Sequence, residues 1–288
     1  MGKFNYVISG HTPISNFTTE GLFDESYEDS KKSAIDDFIE KRQALFKLIK
    51  PYESNISSIP KDLTNMIVLG CVSAVESFIR KLIRTIIIND ESSKKKCENV
   101  TLKYGAVVSN QNFSMLPEAL LEEFSFTNGK NIKDTINALL GIQCNSDLFK
   151  TVFGEYSDIC ELRHCIVHRF GMLGSNNAIR FGLSKYDKYI EKPIIIDFDH
   201  LNDIVQVCEN LVKVLNSHLF SEVLERTYKD RSENWSFDYR KDKKIFLKYY
   251  NIFKDSSSNV DEKEIYYDFK KVMIKEYGEG YIGRGRAR

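Results

Sequence analysis

Two histidines and two arginines lie within seven consecutive residues near the middle of this chain. Arg163, His164, His168 and Arg169, here called the Arg/His motif, fall in the stretch ELRHCIVHRFG, residues 161–171. Imidazole titrates near neutral pH and can take or give a proton, whereas a guanidinium stays charged and binds a phosphate with a forked pair of donors. Such a group suits cleavage of a phosphodiester, above all in RNA, where the 2′-hydroxyl supplies the nucleophile.

The motif ends a long segment in which apolar residues recur at helical spacing, and this spacing predicts one amphipathic helix. We expect Asn145 or Ser146 to cap its start. His164 and His168 are four residues apart, so a helix places their rings on the same face. Arg163 lies about 140° around the helix from His168, and its long side chain can bring the guanidinium back toward that face.

Two other chemistries would use residues of the same helix. Cys160, His164 and His168 repeat at four-residue intervals and could form part of a zinc site. No partner pair with ligand spacing stands out elsewhere in the sequence, and the flanking arginines repel a cation, so we expect no metal and no cofactor. Cys165 lies three residues from His168, but its apolar neighbours are typical of a buried thiol rather than of a nucleophile.

A second pair of charged residues lies inside a strongly apolar helix predicted for about residues 60–89. Glu76 and Arg80 are four residues apart, which is the spacing of an exposed ion pair on one helix. The alternative is that one of them reaches the Arg/His motif. We therefore count Glu76, Arg80 and Arg169 as candidates for a supporting or RNA-binding role.

The rest of the chain is mostly helical in pattern. Apolar periodicity predicts further helices at about residues 34–50, 114–124, 131–140, 200–225, 244–253 and 262–277. Residues 90–99, which include three consecutive lysines, are predicted to form a loop. Residues 178–183 and 193–198 are predicted to be two short extended runs, the second with a strong β signal. These patterns predict a mainly α fold with a short β-hairpin or extended segments.

The motif also resembles the signature of a known family. Arg163-His164-x-x-x-His168 is similar to the Arg-x(4–6)-His pattern of HEPN-domain ribonucleases. Residues 69–82 resemble the first core helix of that family, and residues 194–199, with the long helix after them, resemble its closing segment. The resemblance implies a HEPN-like helical bundle, with Arg163 and His168 as the catalytic pair and His164 orienting the site or sharing in proton transfer.

Further properties of the HEPN family become expectations for this chain. Its ribonucleases act on RNA without a metal, leave 2′,3′-cyclic phosphate ends and often serve as toxins or antiviral defence effectors. The resemblance implies a homodimer whose motif helices meet across a two-fold axis, and it allows for an antitoxin or regulatory partner. Some HEPN domains are inactive, so the alternative function is a catalytically inactive dimer that acts as an interaction or regulatory module.

Composition and sequence shifts predict the surroundings of this domain. The 288 residues contain 41 basic and 41 acidic side chains, so affinity for RNA must come from local patches. Six scattered cysteines, no signal peptide and no apolar run of membrane-spanning length predict a cytoplasmic protein that does not enter a membrane. We divide the chain into an N-terminal arm (1–25), the HEPN-like helical domain (26–225) and a helical C-terminal extension with an Arg/Gly tail (226–288).

Overall fold

The computed structural model of the protein describes residues 8–10, 17–109, 115–230 and 234–277. The chain divides into two compact units, residues 1–31 and residues 32–288. In the first unit the described residues form turns, and the Asp24 carboxylate accepts hydrogen bonds from the backbone and the hydroxyl of Ser26 at 2.9 and 2.6 Å. The predicted N-terminal arm lies partly outside the described residues, and the Arg/Gly tail lies wholly outside them.

The second unit is a bundle of α-helices, which confirms the predicted mainly α class. In the described residues these are, in chain order, α1 (Ala34–Lys47), α2 (Lys61–Asn89), α3 (Glu91–Cys97), α4 (Tyr104–Ser109), α5 (Leu116–Leu121), α6 (Gly129–Leu140), α7 (Asp147–Arg169), α8 (Ser175–Tyr186), α9 (Phe198–Asp230), α10 (Tyr239–Phe253) and α11 (Glu262–Tyr277). No helix within these ranges is both long enough and apolar enough to cross a lipid bilayer.

The long helix α2 runs through the centre of the bundle. Its apolar residues cover most of its circumference, and Ile67, Val75 and Ile83 are fully buried. Helices α1, α7, α9 and α10 pack against it. Because a helix that is apolar on most sides must be covered on most sides, α2 gathers the other long helices around itself.

The helix that carries the Arg/His motif, α7, is fixed at both ends. The Ser146 hydroxyl accepts a hydrogen bond from the first turn, so Ser146 is the N-cap that one of the two sequence alternatives names. At the other end Phe170 and Gly171 adopt left-handed backbone conformations, with φ of 51° and 82°. The Gly171 N–H donates to the Cys165 carbonyl at 3.1 Å, which closes the last turn.

The loop predicted for residues 90–99 is wrong, because these residues contain the short helix α3. The Asp90 carboxylate caps this helix by accepting a hydrogen bond from the backbone N–H of Ser93 at 2.9 Å. The same carboxylate forms an ion pair with Arg226 of α9 at 3.0 Å. This buried tertiary contact stabilises a polar helix that shows no apolar periodicity.

The two predicted extended runs have different outcomes. The prediction for residues 178–183 is wrong, since they belong to α8, which has a kink at Gly182. Residues 193–197 are non-helical, and Pro193 forms an isolated antiparallel bridge with Met172. No hairpin occurs in the described residues, so of the two predicted forms only the extended segment remains.

The C-terminal helices pack on the bundle around a buried carboxylate. Asp242 on α10 accepts hydrogen bonds from the backbone N–H of Phe237 at 2.8 Å and from the Tyr266 hydroxyl at 2.7 Å. It also accepts from the backbone and hydroxyl of Ser236. Asp242 thereby joins α10, α11 and the segment before α10. Helix α9 continues to Asp230, past residue 225, and the division of the chain into three segments stays a prediction.

Candidate active site

His164 and His168 lie on one face of α7, with ring centroids 4.5 Å apart and ring planes tilted by 52°. Both side chains are exposed. Together with Arg169 and residues 174–177, the N-cap and first turn of α8, they line an open cavity of about 420 Å³. The four-residue spacing thus brings the two imidazoles together at a place that a ligand can reach.

Gly174, the N-cap of α8, and residues 175–177 at the start of that helix form the opposite wall of this cavity. A side-chain carbon at Gly174 would lie 3.0 Å from Cδ of Arg169 and 3.1 Å from Oδ1 of Asn177, so a residue without a side chain lets the start of α8 approach the end of α7. Asn177 is buried, and its amide donates to the Glu161 carboxylate at 2.8 Å. The wall is therefore attached to the same helix that carries the histidines.

Two carboxylates near the cavity have cationic partners. Glu161 forms an ion pair with Arg180 of α8, and Glu191 forms one with Arg169. The pair of Arg169 and Glu191 is largely exposed, so water screens it and it contributes little to stability. Arg169 thus lines the cavity beside the imidazoles and can exchange Glu191 for an anionic ligand.

Arg163 is half-buried and is not among the residues that line the cavity. Its charge instead acts on Glu76 of α2. Burial raises the pKa of the Glu76 carboxyl above its usual value, and the positive charges of Arg163 and Arg80 offset part of that rise. Within the described part of the chain, Arg163 has no ion-pair partner within 4 Å. The structure therefore brings Glu76 near Arg163, at the contact between α2 and α7.

Arg80 points away from the motif toward α5. Its guanidinium forms an ion pair with Glu118 at 3.3 Å and lies over the Phe126 ring at 5.3 Å from the ring centroid. It therefore forms neither a close pair with Glu76 nor a direct contact with the histidines. Of the two candidate residues on α2, Glu76 is the one that interacts electrostatically with Arg163 of the motif.

The cysteines of α7 are enclosed by the core. Cys160 and Cys165 are buried, and burial raises the pKa of both thiols, that of Cys160 to about 12. A thiol that stays protonated is a poor nucleophile and a poor metal ligand. Across the ranges that the structure describes, no group of three or more His, Cys, Asp or Glu side chains could hold a metal ion.

Sequence reasoning missed the cavity wall and its carboxylates. The Gly-Ser-Asn-Asn run at residues 174–177 has the composition of a turn, and predicting a turn from it is wrong, because residues 175–177 begin α8. Glu161 and Glu191 gave no signal, because their cationic partners lie 19 and 22 residues away along the chain. The packing of α8 against α7 brings Arg180 to Glu161, and the chain after α8 brings Glu191 to Arg169.

Comparison with known proteins gives one match. A family model described as RiboL-PSP-HEPN matches residues 36–221, which include α2, α7 and most of α9. No curated protein and no solved structure matches the chain significantly. HEPN domains are generally associated with ribonuclease activity.

Proposed function

The chain belongs to the RiboL-PSP-HEPN family, and on this premise we propose that it is a metal-independent endoribonuclease. The observation that carries the proposal is the pair of exposed imidazoles, His164 and His168, at an open cavity beside Arg169. A structural histidine is usually buried and hydrogen-bonded to a neighbour. These two are exposed, and they make no hydrogen bond to any other described residue.

The proposed reaction uses the RNA's own nucleophile. One imidazole removes the proton of the 2′-hydroxyl while the bond from O2′ to phosphorus forms. The other imidazole, in its protonated form, gives a proton to O5′ while the bond from phosphorus to O5′ breaks. The products are a 2′,3′-cyclic phosphate and a free 5′-hydroxyl. Because both groups are imidazoles, they can exchange roles.

The arginines supply positive charge for the phosphorus oxygens, which gain negative charge in the transition state. Arg169 already lines the cavity. In the proposal Arg163, which has no carboxylate within 4 Å in the described residues, turns toward the bound phosphate. Glu76 acts as a positioning residue. Its charge interacts with that of Arg163, but the two form no close ion pair that would keep the guanidinium away from the phosphate.

We extend the proposal to a homodimer that forms at the end of α7. Phe170 is 84% exposed and Ile195 78%, and Val167 is exposed as well. The backbone N–H of Ile194 donates to the Gly171 carbonyl at 2.7 Å, which places Ile195 beside the end of α7. Exposed apolar side chains in one place mark an interaction surface. A two-fold contact here would join both histidine pairs in one cleft. Light scattering on Phe170→Glu should show monomers where the unmodified protein shows dimers.

The test of the activity is cleavage of RNA in the absence of free metal. Labelled total RNA and tRNA are incubated with the purified protein in EDTA, beside Arg163→Ala and His168→Ala. We expect cleavage in EDTA with cyclic phosphate ends, and a loss of about 10²- to 10⁴-fold in the His168 variant, the range for one general acid or base.

The matched control is His200→Ala. His200 is also an exposed histidine on a long helix, but its ring contacts Asp197 at 2.8 Å and does not line the cavity. Its removal should leave cleavage unchanged. Cleavage that EDTA abolishes would contradict the metal-free mechanism. A dimer that binds RNA or protein partners but cleaves nothing would favour the alternative, an inactive interaction module.

The cellular role is a further part of the proposal. A ribonuclease of broad specificity needs restraint, so we propose a cytoplasmic toxin or antiviral defence effector that an antitoxin or regulatory partner controls. Induced expression of the unmodified chain should arrest growth, whereas equal expression of His168→Ala should not. Equal growth of the two strains would contradict the toxin role without affecting the proposed chemistry.

A further inference from the structure

A second open cavity, of about 360 Å³, lies between the start of α6 and the first half of α7. Lys130 and Lys133 of α6 and Lys150 of α7 line it. Lys130 and Lys133 form no ion pair with any described residue. Lys150 pairs with Asp147 at 2.7 Å, but both side chains are exposed, so water screens the pair. A chain without net charge thus places three ammonium groups around one cavity.

A close backbone contact between α6 and α7 fixes the position of Lys130 and Lys133 relative to α7. A side-chain carbon at Gly129 would lie 2.4 Å from Cβ of Phe153 and 2.5 Å from its carbonyl oxygen, so only glycine lets the start of α6 lie this close. The Ser157 hydroxyl accepts a hydrogen bond from the Gly129 N–H at 3.0 Å and donates to the Phe153 carbonyl at 2.6 Å. The lysine cavity is therefore a built feature of the α6–α7 contact.

The lysine cavity and the histidine cavity lie on the same face of α7. At 3.6 residues per turn, five residues of α7 that line or lie between the two cavities stand within about 40° of His168 around the axis: Lys150, Gly154, Ser157, Glu161 and His164. From Ser157 to His168 the rise along the helix is about 16 Å, which about five stacked nucleotides span. Between the two cavities, the negative charge of Glu161 is neutralised by its ion pair with Arg180.

We propose that this face of α7 binds the backbone of single-stranded RNA, with phosphates on Lys130, Lys133 and Lys150 and the cleaved bond at His164 and His168. The inference rests on the proposed ribonuclease function for the place of cleavage. The lysines belong to a different helix contact from the motif and make no contact with the reacting phosphate. They hold a neighbouring part of the strand several nucleotides away, which aligns the bond that the imidazoles cleave.

The chemistry of the cavity favours RNA over an acidic peptide. Lysines bind phosphates as point charges along a flexible backbone, and such grooves recognise single strands without reading their sequence. An acidic peptide would also need apolar pockets for its anchoring side chains, whereas Phe153 is the one large apolar side chain among the described residues that line this cavity. With the histidines at one end of this α7 face and the lysines at the other, the arrangement suits an RNA strand that extends beyond the cleaved bond.

The binding test uses the full chain with His168→Ala, which holds RNA without cutting it. A fluorescent single-stranded RNA oligonucleotide is titrated with this protein and with the same protein carrying Lys130→Ala and Lys133→Ala, over a range of salt concentrations. We expect the lysine changes to raise Kd about tenfold and to reduce the slope of log Kd against log salt by about 1.4, since each lost phosphate contact removes about 0.7. Lys130→Arg with Lys133→Arg should restore most of the affinity.

The matched control changes two exposed lysines of α10, Lys241→Ala and Lys244→Ala, which should leave Kd unchanged. Equal Kd and salt slope in the Lys130/Lys133 variant and its parent would overturn the inference, as would absence of RNA binding by the parent. Lysine-dependent binding by a protein that cleaves no RNA would instead overturn the proposed activity and leave the RNA path standing. In a cleaving protein, the lysine changes should raise KM for long RNA but not for a dinucleotide.

Discussion

The Asp242 centre and the pair of His164 and His168 are both polar, but one is closed and the other open. Asp242 is 2% exposed and accepts hydrogen bonds from two backbone N–H groups and two hydroxyls. His164 and His168 are exposed, and in the part of the chain that the structure describes each has only the other as a ring neighbour. The first arrangement leaves no acceptor for a ligand, whereas the second leaves all of its ring nitrogens available.

This difference separates polar groups that stabilise the fold from polar groups that serve a ligand. Truncating a buried, hydrogen-bonded carboxylate leaves its donors unsatisfied and lowers stability. Truncating an exposed imidazole removes no buried contact, so it should change activity but not the free energy of unfolding. Glu76 stands between the two cases, because it is half-buried and lies near the charge of Arg163.

The largest effect should come from the open centre and should be purely functional. His168→Ala is expected to lower kcat by about 10²- to 10⁴-fold, because one general acid or base is lost. Its free energy of unfolding should stay within about 0.5 kcal/mol of the unmodified protein, as for other exposed positions. Denaturant unfolding followed by circular dichroism measures this. A clear loss of stability would mean that the pair belongs to the fold and not to a site.

The closed centre should show the reverse. Asp242→Ala is expected to lower the free energy of unfolding by about 3 kcal/mol, since several buried donors lose their acceptor at once. The rate of RNA cleavage per folded molecule should not change. The control is Asp203→Ala, an exposed aspartate of α9, which should cost less than about 0.5 kcal/mol. Equal unfolding midpoints for the two variants would remove the contrast between the centres.

The smallest effect on stability concerns Glu76, and it depends on pH. Because its pKa is raised in the folded protein, the folded state binds this proton more readily than the unfolded chain does. Stability is therefore lost as pH rises from the ordinary value, about 4.3, through the raised pKa. Glu76→Gln removes that loss, so its Tm should exceed that of the unmodified protein at pH 7, and the difference should vanish below about pH 4.3.

The catalytic activity of the Glu76→Gln variant tests whether Glu76 positions Arg163. If Glu76 positions Arg163, then kcat of Glu76→Gln should fall several-fold although the protein is more stable. The exposed Glu155→Gln on α7 is the control and should change neither Tm nor kcat. A Glu76→Gln protein with unchanged kcat would show that the carboxylate is only a half-buried charge near the motif.

Periodicity predicted the long helices because their burial repeats along the chain. The bounds of α2 and α11 agree with the predicted ranges to within one residue, and the predicted cap Ser146 is the N-cap of α7. The shorter α3, α4 and α8 were not predicted as helices. Contacts from elsewhere stabilise them, such as the ion pair of Arg226 with Asp90 beside α3, and such contacts leave no local pattern.

The sequence by itself determined the helix that carries the motif and the meeting of His164 with His168, since four-residue spacing on a helix fixes their neighbourhood. Only the tertiary structure decided which charges face which. It paired Arg80 with Glu118, brought Glu76 near Arg163, and placed Lys130 and Lys133 of α6 beside the α7 face that carries the histidines. The reason is physical: helical geometry acts over a few residues, whereas these contacts depend on how separate helices bury their apolar faces against one another.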